Sequence, residues 1–220
     1  MLSALRTASP GVIKNIGITA RYIAYTESFK LFCDLVDRSD PDEHKFQKYL
    51  EENPWVFGSE YSELLDRRTW SRDENLDFML RRTVDRYLEI VEIKTPAVMS
   101  LFIHDPSHDS YYPSSKLSQA LGQVFRYIEE IERRRDSIIA TDRVDPHKIR
   151  ARVIIGRDGD ERCQSALRAL NSHLHRVEVL TFDQLKRVGQ RTLDMFKKRM
   201  QQGDGGGGGE GDEFGDDIPR

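Results

Sequence analysis

The chain has 220 residues, 38% hydrophobic and 32% charged, which is enough apolar material for one ordinary core. No stretch approaches the ~18 uninterrupted apolar residues a spanning helix needs, so a helical membrane protein is excluded. A formal net charge of −3 argues at first against a nucleic-acid binder, whose domains usually run basic, but the stretch from Gly203 to Arg220 alone carries −5 and leaves residues 1–202 at +2.

Met1 to Arg6 has no apolar run of signal-peptide length, which predicts a cytoplasmic protein. From Ile18 to Val36 the residues Tyr22, Ile23, Phe29, Leu31, Phe32, Leu35 and Val36 recur at roughly helical spacing, and residues 1–38 read as an N-terminal helical segment. Asp40 reads as the N-cap of a second helix, with Pro41 at its first position and Glu43 at its third. Asn53-Pro54 ends that helix near Glu52, because the residue before a proline is pushed out of the helical region. Leu76–Leu80 and Tyr87–Lys94 are β-rich runs separated by the polar stretch Arg81–Arg86, a hairpin pattern. After Pro96 comes a loop of about twenty residues with Pro106 and Pro113. Helices are then expected at 115–135, 160–174 and 182–200, and strands at 150–156 and 177–181. This order predicts an α/β fold, a mixed sheet with helices on it. Gly203–Arg220 reads as a disordered tail. Cys33 and Cys163, with no metal-binding spacing, read as small core fillers in a reducing compartment.

The strand Leu88-Glu89-Ile90-Val91-Glu92-Ile93-Lys94 is apolar on both faces, as in a doubly covered central strand. Glu92 and Lys94 then share a face. Burying a carboxylate and an ammonium there is costly unless they pair or meet a cation. If the hairpin closes about Val84-Asp85, Asp77 falls directly across from Glu92. Two facing carboxylates repel and raise one another's pKa unless a divalent cation lies between them. An internal Glu92–Lys94 ion pair is the competing, purely structural reading. His104 and His108 have the four-residue spacing of helical metal ligands, but Pro106 lies between them, and they read as a solvated loop. Arg81, Arg82 and Arg86, with Arg133-Arg134-Arg135, form basic clusters that read either as phosphate contacts or as solvated faces.

Asp77 followed fifteen positions later by Glu92-Ile93-Lys94 resembles the PD-(D/E)xK nuclease signature, with Leu76 in place of the proline. Gln123-Val124-Phe125-Arg126-Tyr127 is similar to the Gln-x-x-x-Tyr motif of RecB-like members. Glu43 to Gly58 and the closing segment Val177 to Leu185 more specifically resemble the Shedu branch, bacterial nucleases of anti-phage defence, and the likeness covers roughly residues 39–190. The resemblance implies a restriction-endonuclease-like core over residues 39–202 and a metal-dependent endonuclease or exonuclease acting on DNA, with RNA left open. It makes Asp77 and Glu92 ligands of Mg2+ or Mn2+, with the Ile93 carbonyl as a further ligand, and makes Lys94 the residue that orients or activates the attacking water. Gln123 becomes an active-site hydrogen-bonder, Tyr127 packs beside it or touches phosphate, and Glu43 supports a metal-bound water. Glu43 also reads as a capping-box partner of Asp40. Homo-oligomers are implied as well. The alternative is a catalytically silent module of the same fold that grips nucleic acid or protein.

Overall fold

The run Leu88–Ile93 forms strand β3, buried at every position, at the centre of a sheet with a core on each face. The computed structural model describes residues 10–65 and 76–203; the expected acidic tail from Asp204 onward, like Met1 to Ser9, lies outside them. Helix α1 (Pro10–Asp37) and helix α2 (Glu43–Glu52) precede a 3-10 turn at Pro54–Phe57 and strand β1 (Tyr61–Leu65). Strand β2 (Phe78–Arg82) and β3 follow, then a small hairpin of β4 (Phe102–Asp105) and β5 (Ser110–Pro113). Helices α3 (Ser115–Arg133) and α4 (Arg135–Asp142) lead to β6 (Arg150–Ile154), α5 (Glu161–His173), β7 (Val177–Leu180) and α6 (Phe182–Gly203). The five-stranded sheet has the order β1-β2-β3-β6-β7. Its β1-β2-β3 half is antiparallel and its β3-β6-β7 half parallel, so the molecule is α/β with a mixed sheet flanked by helices.

The alternation of β3 divides the interior in two. Leu88 and Ile90 point with Ala151 and Val153 into a core closed by the α3 stripe of Leu117, Val124, Ile128 and Ile131. Val91 and Ile93 point the other way, with Phe78, Leu80 and Ile154, toward Phe29, Phe32 and Val36 of α1, Phe46 and Leu50 of α2, and Phe182 and Leu185 of α6. The N-terminal helix is thus built into a core rather than appended to it. Its approach to α6 is close enough that a Cβ at Gly189 would lie 2.6 Å from Phe29 Cε2, which only glycine permits.

The β2–β3 register is the expected one: Phe78 faces Val91, Met79 faces Ile90 and Leu80 faces Glu89. Four expectations need correction. Asp42, not Asp40, caps α2, accepting from the His44 N–H at 3.1 Å, and Glu43 is its first residue. Asp40 instead accepts from the Asp42 N–H at 2.9 Å and from Lys45 Nζ at 2.8 Å, an entry turn preceded by Ser39 in a left-handed conformation (φ 50°). Strand β2 begins at Phe78, and Leu76, before the bend, joins the α3-side core while Phe78 and Leu80 join the other. The loop after Pro96 contains the β4–β5 hairpin, and the helix from Ser115 stops at Arg133.

Candidate active site

The end of β3 places two acids and a lysine together. Continuing the register by one pair brings Asp77 opposite Glu92, and the Asp77 carboxylate accepts a 2.7 Å hydrogen bond from the Ile93 N–H, which fixes it at the strand's edge. Two residues beyond Glu92, on the same face, Lys94 Nζ donates to Glu92 Oε1 at 2.6 Å. The Glu92 side chain is only 3% exposed. Burial and then the neighbouring Asp77 charge push its carboxyl up to about 7, against the opposing pull of the Lys94 hydrogen bond. Burial pulls Lys94 down, but the hydrogen bond and charge of Glu92, with Glu43 and Asp77, outweigh it and hold the ammonium above its ordinary value. Lys94 is therefore a fixed cation at neutral pH, suited to donating a hydrogen bond rather than removing a proton.

Glu92 Oε2 is buried and has no hydrogen-bond partner. Among the described residues two other buried side-chain polar atoms lack one, Arg81 Nε and Arg152 Nε, yet each still faces a carboxylate, at 3.5 Å on Glu63 and 3.1 Å on Glu89. An orphaned carboxylate oxygen beside a second carboxylate is costly and is the donor chemistry a hard divalent cation takes. Among the described residues no three His, Cys, Asp or Glu side chains come together as a metal-holding group. Two carboxylates nonetheless fit Mg2+, which commonly keeps several waters and takes one or two carboxylates plus substrate phosphate.

Lys94 connects this pair to solvent, lining a cavity of about 610 Å³ with Glu43, Lys116, Gln119 and Gln123. Glu43 reaches it because Thr95 Oγ1, just past β3, donates to the Asp40 carbonyl at 2.8 Å and ties the entrance of α2 to the strand end. It acts on Glu92 and Lys94 through its charge. It is exposed although Phe46 and Leu50 of the same helix are buried. Gln123 is held by its own helix: its Nε2 donates to Tyr127 Oη at 2.6 Å. Tyr127 is 1% exposed within the α3-side core, where it packs and orients Gln123.

The structure thus gathers Asp77, Glu92 and Lys94 directly, and brings Glu43 and Gln123 to the rim of the same cavity. Lys116 was not singled out by sequence reasoning; its signal is its place two residues after the N-cap Ser114, whose side chain accepts from the Leu117 N–H. The other candidates disperse. His104 Nε2 meets Asp109 Oδ1 at 3.0 Å in the β4–β5 hairpin. Arg82, Arg133 and Arg135 pair with Asp85, Glu129 and Asp145, so they are largely neutralised faces.

Residues 40–185 match the family model described as Shedu protein SduA, C-terminal, and the chain belongs to this family. No curated protein matches the chain. Among the described residues no helix is long and apolar enough to cross a membrane.

Proposed function

We propose that this Shedu-family protein is a divalent-metal-dependent nuclease of the PD-(D/E)xK type, hydrolysing phosphodiester bonds in DNA as part of Shedu anti-phage defence. Family membership supports the defence role. The observation that carries the chemistry is the buried, unpartnered Glu92 Oε2 beside Asp77 and Lys94. The restriction-endonuclease-like core is supported by the mixed sheet, in which the acids sit where the antiparallel and parallel halves meet.

In this reading Asp77 and Glu92 hold Mg2+ or Mn2+, which when bound polarises a phosphate oxygen and acidifies a water. Lys94, kept protonated by Glu92, donates to the attacking water or to a non-bridging phosphate oxygen. Gln123, braced by Tyr127, hydrogen-bonds at the cavity rim, and Glu43 accepts from water there. The protein acts as a homo-oligomer.

The test is incubation of the full chain with linear, nicked and circular DNA, and with RNA, with and without Mg2+ or Mn2+. Metal-dependent cleavage is expected, falling about 100-fold or more in Lys94→Ala and Asp77→Asn proteins of unchanged fold. Cleavage that survives both substitutions sinks the site. No cleavage of any substrate in either metal favours the silent binding module.

A further inference from the structure

The chain between β3 and β4 forms a ridge with a cavity on each side. Ala97, Val98, Met99 and Ser100 border both the 610 Å³ cavity that holds Lys94 and a second of about 470 Å³ walled by Leu101, Phe102 and Leu167. At its crest Met99 is fully exposed, at 103% of the reference area. Among the described residues Val84 is the other nearly bare large apolar side chain, at 87%, but it caps the β2–β3 turn at the far end of the sheet and borders neither cavity.

The ridge is pinned at both feet. Thr95 Oγ1 accepts from the Ala97 N–H at 3.0 Å while the Thr95 carbonyl accepts from the Gly156 N–H at 3.1 Å. Ser100 Oγ donates to the Phe102 carbonyl at 2.5 Å, and the Leu101 carbonyl accepts from the Ser114 N–H at 2.9 Å. These bonds anchor the segment on either side of Met99, which stands fully in water without the burial a collapsed loop would give it.

The larger cavity is divided by chemistry: Lys94, Lys116, Gln119 and Gln123 present two cations and two amides against the single acid Glu43, while Val98 and Met99 present an apolar edge. A nucleotide has the same division, an anionic phosphate and a base with an apolar face. We propose that Met99 packs against an unstacked nucleobase next to the phosphate held at Lys94 and Lys116, so that the site takes a locally unpaired strand. The proposal rests on the nuclease reading above and adds to it the form of the substrate. Methionine suits the task because it is unbranched and polarizable, and apolar side chains of this kind open base steps by insertion. The pinned ridge makes the base move rather than the loop, and the second cavity gives the displaced neighbour room.

The experiment places 2-aminopurine at successive positions of single-stranded and duplex oligonucleotides and titrates the full chain in EDTA at low salt, where metal-dependent cleavage is absent. Wild type is expected to brighten one position of the duplex. Met99→Ala, at a fully exposed site, leaves the fold intact, abolishes the brightening and weakens duplex binding roughly fivefold more than single-strand binding, while Met99→Leu retains both. Brightening that persists in Met99→Ala, equal losses on both substrates, or no wild-type binding to either overturns the proposal. The nuclease reading is judged separately, by metal-dependent cleavage and its loss in Lys94→Ala.

Discussion

Strand β3 carries two buried glutamates three residues apart, on opposite faces, in very different company. Glu89 faces Arg152, whose guanidinium lies 3.1 Å from Glu89, 2.9 Å from Glu60 and 2.9 Å from Glu178, while Tyr61 Oη donates to Glu89 at 2.7 Å. Glu92 has one lysine on one oxygen and nothing on the other. The first cluster centres on one cation that every acid contacts; the second sets two acids edge to edge with a cation on the outer side. Burial alone therefore does not mark a functional charge. What distinguishes Glu92 is a buried oxygen with no partner beside a second carboxylate, whereas Glu89 has a hydroxyl and a guanidinium, both on Oε1.

The largest effect that tests this contrast is on stability. Arg152→Ala strands Glu89 with no cation and is expected to cost roughly 3 kcal/mol, read as a clear drop in melting temperature. The specific activity of the protein that remains folded should stay near wild type, whereas Lys94→Ala should lose cleavage even in the protein that remains folded. An Arg152→Ala protein that keeps its melting temperature but loses cleavage would invert the assignment of the two clusters.

Sequence patterning carried the second cluster further than the first. Closing the hairpin about Val84-Asp85, in the middle of the polar stretch Arg81–Arg86, set the β2–β3 register, and period-2 alternation then placed Asp77 across from Glu92 and Glu92 beside Lys94. The α3 helix was legible for the same reason, a local period. The Arg152 cluster was not legible, because Glu60, Glu89, Arg152 and Glu178 come from four places in the chain and meet only once β3, β6 and β7 are paired. Strand β1 was missed since Tyr61–Leu65 is half exposed and its pattern weak. The β4–β5 hairpin hid behind Pro106 and Pro113, which signal loop although Pro113 stands at a strand end. The cap of α2 was misplaced by two residues because Asp40 and Asp42 are equally good caps in composition, and only the left-handed turn at Ser39 decides between them.

A smaller effect separates repulsion from support within the Glu92 cluster. Asp77→Asn removes a charge that raises Glu92, yet its amide oxygen can still accept from the Ile93 N–H as the Asp77 carboxylate does. In EDTA the variant should be as stable as wild type or up to about 1 kcal/mol more stable, while its metal-dependent cleavage is lost. A lower melting temperature in EDTA would show that Asp77 is held mainly as a structural charge.

The smallest effect lies in the pH dependence of the better-compensated cluster. Burial raises Glu89 above its ordinary 4.5 even though Arg152 and the Tyr61 hydroxyl pull it down. A raised acid stays protonated in the folded chain at pH values where the unfolded chain has already released its proton. Stability therefore falls as pH rises from about 4.5 until Glu89 ionises in the folded state. Several exposed acids with lowered values, Asp105 and Asp160 among them, have the opposite slope, so the wild-type curve alone does not isolate Glu89. The difference between wild type and Glu89→Gln does, because glutamine keeps an acceptor for Tyr61 and Arg152 but cannot titrate. Melting temperatures across that range should show wild type losing ground to Glu89→Gln as pH rises. A flat difference would mean that Arg152 holds Glu89 ionised throughout, and that the two glutamates of β3 differ even more than their geometry shows.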